Sequence, residues 1–117
     1  MSTERKGRRI SRVEDENLDI SIRTLMHEGE VEGVLGVELI TIYVGKTLEM
    51  SEVGEYLETW QVLKGTGLLS FIEAGGTNKR NVRFEEGMIN QTTLGDRHGL
   101  VNIGRENLAM LVTKTQG

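Results

Sequence analysis

His27, His98, Tyr43, Tyr56 and Trp60 are the only imidazole, phenol and indole groups in the chain, and there is no cysteine. That inventory closes several kinds of chemistry. Without thiols there is neither a disulfide framework nor a thiolate metal site. Two histidines cannot build a three-histidine metal centre within one protomer. The chain also lacks a P-loop, a dinucleotide fingerprint after a strand, a serine-centred nucleophile elbow and a His-Glu-x-x-His pair. The densest remaining spot is the run Glu58-Thr59-Trp60-Gln61-Val62. In an extended segment its carboxylate, indole and valine share one face, because side chains alternate with period two. A tryptophan on an inward face stacks on a sugar or other planar ligand, or else is ordinary core. His27, in the stretch Leu25-Met26-His27-Glu28-Gly29, reads as a surface turn residue.

Short strands are what hold such a face. Leu18, Ile20 and Ile22 alternate with Asp19, Ser21 and Arg23, which predicts a strand over 18–26. Residues 37–44 are rich in β-branched and aromatic types and lie between Gly36 and Gly45. Further runs at 58–64, 67–73, 82–84, 88–92, 98–103 and 107–113 are punctuated by glycine, and Glu73-Ala74-Gly75-Gly76-Thr77-Asn78 has the chemistry of a hairpin turn. Residues 49–58 are expected to form at most one helical turn, since Gly54 interrupts them. Eight or nine closely spaced strands, without an amphipathic helix, predict an all-β sandwich or barrel.

With 117 residues the chain is expected to be one domain. No apolar run approaches the roughly 18 residues of a membrane span, and the basic N-terminus is not followed by the apolar stretch of a secretory signal. A cytoplasmic location is the expectation. Charge is unevenly spread. Residues 1–12 carry Arg5, Lys6, Arg8, Arg9 and Arg12 against Glu4, whereas the remainder holds 9 basic and 17 acidic side chains. The first dozen residues therefore read as a flexible basic arm, and 13–117 as the barrel domain. A nucleic-acid partner is not expected, because the body lacks a basic face and aromatic residues are only 4%.

Within Gly87-Met-Ile-Asn-Gln-Thr-Thr93-Leu-Gly95-Asp-Arg-His98-Gly-Leu-Val-Asn102, the positions Gly87, Gly95, His98 and Asn102 fall in the register of the second motif of the cupin superfamily, with Thr93 in place of its proline. Anchored on Gly45, Glu58 and Gly65, the spacing also fits the first cupin motif, but its two histidine positions hold Ser51 and Val53. Over residues 35–113 the chain thus resembles a small single-domain cupin, and the resemblance implies a double-stranded β-helix, or jelly-roll barrel, often paired into homodimers.

The resemblance also implies a pocket. Its metal would be held by three histidines and a glutamate, of which only Glu58 and His98 remain. Two protein ligands leave most of the coordination sphere to water, so no cofactor is expected and a divalent metal would be held weakly. Glu49, Glu52 and Glu55 could complete an oxygen-rich site if the loop shifted register; otherwise they form a solvated acidic rim. His98, placed beside Glu58, has its tautomer fixed and can serve as a general base, with Tyr56 or Tyr43 as the acid, as in metal-free sugar isomerases and epimerases of similar fold. Alternatively the two are a relict pair in a pocket that binds a sugar- or carboxylate-like ligand through Ser51, Glu58, Trp60, His98 and Asn102. Met88, Leu100 and Met110 are expected to make one barrel end apolar, and Gly87, Gly95 and Gly99 to act structurally.

Overall fold

The computed structural model describes residues 19–117 together with the strand backbone of 13–16; the expected basic arm lies outside the described residues. These residues form ten strands: β1 (Val13–Glu16), β2 (Ile20–Met26), β3 (Val34–Ile42), β4 (Thr47–Glu52), β5 (Leu57–Lys64), β6 (Thr66–Ile72), β7 (Arg80–Glu85), β8 (Ile89–Thr92), β9 (Arg97–Asn102) and β10 (Leu108–Thr115). They build two antiparallel sheets, of order β1-β2-β3-β10-β5-β8 and β4-β9-β6-β7. The mixing of early and late strands in each sheet is the jelly-roll topology that closes the barrel.

Period-two alternation decides what goes inside. Ile40 and Ile42 of β3, Trp60 and Val62 of β5, and Leu108, Met110 and Val112 of β10 are buried together with Leu69, Phe84 and Leu100 from the facing sheet. Cross-strand pairing arranges the inner face of the larger sheet in rows. Ile20, Ile42 and Leu108 form one row; Ile22, Ile40, Met110 and Val62 form the next. Then the character changes. Thr24, Glu38, Val112, Trp60 and Asn90 make the third row, and Gly36, Lys114, Glu58 and Thr92 the fourth. One end of the barrel is therefore aliphatic and the other polar.

Two local expectations need correction. The segment expected to form a helical turn, 49–58, instead holds the end of β4, a short connection and the start of β5. Leu48 pairs with Leu100 and Ser51 with His98, so β4 holds one residue more than β9 between those pairs, a β-bulge. The bulge presses on Gly99, where an added Cβ would lie 3.0 Å from the Met50 amide and 3.1 Å from the Leu48 carbonyl. An edge strand with a bulge loses the regular alternation by which strands are read. Met88 does not join the apolar end; it is 40% exposed, while Leu100 and Met110 are buried. Val53, at a motif histidine position, is core, only 1% exposed.

The turn between β8 and β9 carries the site's register. The Asp96 amide donates to the Thr93 carbonyl, and Gly95 has φ +86°, a conformation that disfavours any residue with a Cβ. Asp96 is buried, its carboxylate accepting from the amides of Ala74 and Thr93, both at 2.9 Å. Val53 and the 95–96 turn exchange two backbone hydrogen bonds. The turn is thus fastened to two loops, and His98 follows it directly.

Candidate functional site at the polar end of the barrel

Glu58 and His98 approach from opposite sheets. Glu58 faces inward on β5, His98 faces inward on β9, and His98 Nε2 lies 2.7 Å from Glu58 Oε1. Both are buried, with side-chain exposures of 1% for His98 and 10% for Glu58. A carboxylate only accepts, so the Nε2 N–H donates; in the neutral ring Nδ1 is then a bare acceptor. Trp60 stacks on the imidazole at 3.6 Å between ring centroids and 20° between planes. The expected side-by-side placement of Glu58, Trp60 and His98 is what the structure shows.

Lys114 completes the group. It stands opposite Glu58 in the β10–β5 register and brings Nζ within 3.8 Å of Glu58 Oε2. The same ammonium lies 5.4 Å from the centroid of the Tyr56 ring, within cation–π range. Tyr56 therefore belongs to the neighbourhood of the site through Lys114. Ser51 is the cross-strand neighbour of His98, at the exposed edge.

Two expected participants are elsewhere. Tyr43 follows Ile42, which pairs with Leu108, while Glu58 pairs with Lys114, six positions along β10. That separation is roughly 20 Å of strand, so Tyr43 cannot serve as the acid to His98. Asn102 lies four residues from His98 along β9, toward the aliphatic end. Its amide nitrogen donates to the carbonyls of Ile42 and Glu106, and its oxygen accepts from the Gly104 amide, each at 2.9 Å. With both donors committed to backbone, Asn102 holds a turn and is not a ligand contact.

The hydrogen-bond accounts at the polar end do not close. Among the described residues, His98 Nδ1, Trp60 Nε1 and Asn90 Nδ2 are buried without a partner. Asn90 stands directly opposite Trp60 in the β5–β8 register, on the same inner face. Thr92, its neighbour two residues on, is satisfied: its hydroxyl donates to the Glu58 carbonyl. A separate surface cavity of about 360 Å³ opens at the β6–β7 hairpin, lined by Glu73, Gly76, Thr77, Asn78 and Arg80. Arg80 is paired there with Glu73 at 2.5 Å.

The metal that this fold implies does not suit these residues. The donor set is one carboxylate and one imidazole; the imidazole Nε2 is spent on the carboxylate, and an ammonium already faces the other oxygen. Glu49, Glu52 and Glu55 are exposed. Among the described residues no group of three or more His, Cys, Asp or Glu side chains is placed to hold a metal ion.

Sequence reading missed Lys114, Asn90 and Asp96. The signal for Lys114 was present: it continues the buried series Leu108, Met110, Val112 at the same spacing. Glu38 likewise precedes Ile40 and Ile42 on their face of β3. Asn90 carried no comparable signal, since β8 is only four residues long.

No family model and no curated protein matches the sequence. Solved structures do match its fold. The cupin domain of Schizosaccharomyces pombe Cnp3 superposes with a TM-score of 0.70 at 13% identity over 84% of this chain, which spans 65% of that one. A predicted oxalate decarboxylase from Thermotoga maritima gives 0.73 at 16% identity, covering 84% and 81% of the two chains. Drosophila melanogaster CENP-C bound to CAL1 gives 0.75 at 9% identity, covering 94% and 82%. The chain has the cupin fold, an all-β jelly-roll barrel.

Proposed function

We propose that this domain is a binding module that holds a small hydroxyl-rich ligand, of sugar type, at the polar end of its barrel. The observation that carries the reading is the trio of buried polar atoms without partners among the described residues: Trp60 Nε1, Asn90 Nδ2 and His98 Nδ1. Each unsatisfied buried group costs about 1–3 kcal/mol, and such groups demand an explanation. A hydroxyl both donates and accepts, so a polyol meets two donors and one imidazole acceptor at once. Water can fill the same positions and be displaced when a ligand arrives. Glu58 and Lys114 then act as supports, the first holding the His98 ring and the second neutralising Glu58.

Trp60 is the only tryptophan, so its fluorescence reports this site directly. Titration with a panel of monosaccharides and polyols should change that emission saturably and raise the melting temperature. Trp60→Phe, which keeps the ring and removes the N–H, should weaken the melting shift by about tenfold in apparent affinity, the worth of one hydrogen bond of ~1.4 kcal/mol. No ligand in the panel giving either response would sink the reading.

A second reading is favoured by the Glu58–His98 pair itself. A carboxylate that orients an imidazole and leaves Nδ1 bare is the arrangement of a general base. In that case His98 takes a proton from a carbon next to a carbonyl, Tyr56 acts as acid, and the domain is a metal-free isomerase or epimerase. The two readings part at His98→Gln. Loss of solvent-proton exchange into a bound sugar in that variant, with binding kept, supports the enzyme; absence of exchange in the wild type removes it.

A further inference from the structure

Glu38 is a carboxylate on the inner face of β3 that the site described so far leaves unused. Its direct cross-strand partners are Thr24 on β2 and Val112 on β10, and Val112 is buried in the core. Residues opposite one another in an antiparallel pair share a face, so Glu38 faces the barrel with Ile40 and Ile42. It is half-buried, and it has no hydrogen bond or ion pair with the described residues.

Its position is the useful part. Glu38, Val112, Trp60 and Asn90 lie in one cross-strand row. Glu38 and Trp60 are two strand spacings apart, roughly 10 Å between backbones, with the buried Val112 between them in the row. Beside them the wall is thin. Gly36 stands opposite Lys114, and an added Cβ there would touch only the Met26 carbonyl, at 3.8 Å.

The charges of that inner face do not balance. Glu58 is answered by Lys114. Glu38 is answered by nothing among the described residues. A half-buried carboxylate feels an effective dielectric well below that of water, so a cation brought next to it gains more than it would at the surface. Opposite it in the row, Trp60 Nε1 and Asn90 Nδ2 offer donors to oxygen atoms.

Resting on the ligand-binding reading above, we infer that Glu38 is the specificity-determining residue of the site and that the ligand carries a protonated amine together with hydroxyl oxygens, as an amino sugar does. The amine faces Glu38, and the hydroxyls face Trp60, Asn90 and His98. A neutral sugar lacks the cation, and a sugar acid brings a second negative charge toward Glu38 and Glu58.

Three probes of one ring size test this: D-glucosamine, D-glucose and D-glucuronate, each titrated against Trp60 fluorescence at neutral pH in low salt. Wild type should bind glucosamine about tenfold more tightly than glucose, equivalent to ~1.4 kcal/mol, and glucuronate most weakly. Glu38→Gln should weaken glucosamine far more than glucose and bring the two to within about twofold of each other, with Glu38→Ser as the substitute if the first variant does not fold. The selectivity ratio is the readout, because a merely structural role for Glu38 would weaken both sugars together. Equal binding of glucose and glucosamine by wild type, or an amine preference that survives Glu38→Gln, overturns the inference alone. Failure of all three probes to bind overturns the ligand-binding reading and this inference with it.

Discussion

The two ends of the barrel treat buried polar groups in opposite ways. At the aliphatic end Asn102 is 2% exposed and makes three hydrogen bonds, all to backbone, in a setting of Ile42 and Leu108. At the polar end Trp60 and His98 are as deeply placed and Asn90 is half-buried, yet each keeps a buried atom without a partner among the described residues. Both ends are cut from the same strands: Asn102 and His98 share β9, four residues apart. The contrast teaches that burial of a polar side chain is not itself a sign of function. The sign is whether its hydrogen bonds are spent within the chain or withheld. A fold gains nothing from withheld donors, which cost stability whenever no ligand or water meets them.

The largest expected effect breaks the spent end. Asn102→Ala leaves the Ile42 and Glu106 carbonyls and the Gly104 amide without their partner and opens a small cavity. The cost should be about 3–4 kcal/mol, read as a lower urea midpoint at unchanged slope. A loss below about 1 kcal/mol would mean that this end is not held by Asn102.

An intermediate effect separates the pair from its members. Glu58→Leu strands His98 Nε2 in the core and should cost about 2–3 kcal/mol. Adding His98→Leu removes the stranded group, so the double variant should recover at least half of that loss. Replacing both members of a buried polar pair with apolar groups is often neutral, whereas removing one is not. Chemical denaturation of the two single variants and the double variant gives the coupling directly. Additive losses would show that Glu58 and His98 do not depend on each other.

The fold was legible because its evidence is local. Alternation in β2 and β5, and glycines at the turns, mark strands whichever neighbours they pair with, and β4 escaped only because its bulge breaks the alternation. The site was half legible. Glu58 and Trp60 share a face by period alone, but their meeting with His98 came from the cupin resemblance, since β5 and β9 lie in different sheets. Tyr43 shows the limit. Its chemistry suits an acid, yet only the β3–β10–β5 register reveals that it stands far along the sheet from Glu58. Glu38 and Lys114 were readable as polar residues on otherwise aliphatic faces, a departure from pattern that marks sites more often than it marks errors.

The smallest expected effect falls on the withheld end, and its sign carries the comparison. Asn90 offers Nδ2 to nothing among the described residues, so removing it takes away a liability. Asn90→Val supplies a β-branched residue suited to strand β8 and packs against Trp60, its direct neighbour. The variant should be as stable as wild type or more so, by up to about 1 kcal/mol. Its binding of hydroxylated ligands should fall at the same time, because one donor of the trio is gone. Stability and binding moving in opposite directions is the behaviour of a group kept for a ligand. If Asn90→Val instead destabilised the fold as Asn102→Ala does, then Asn90 would be held by an ordered water that is part of the structure. The polar end would then be another closed account like the aliphatic one.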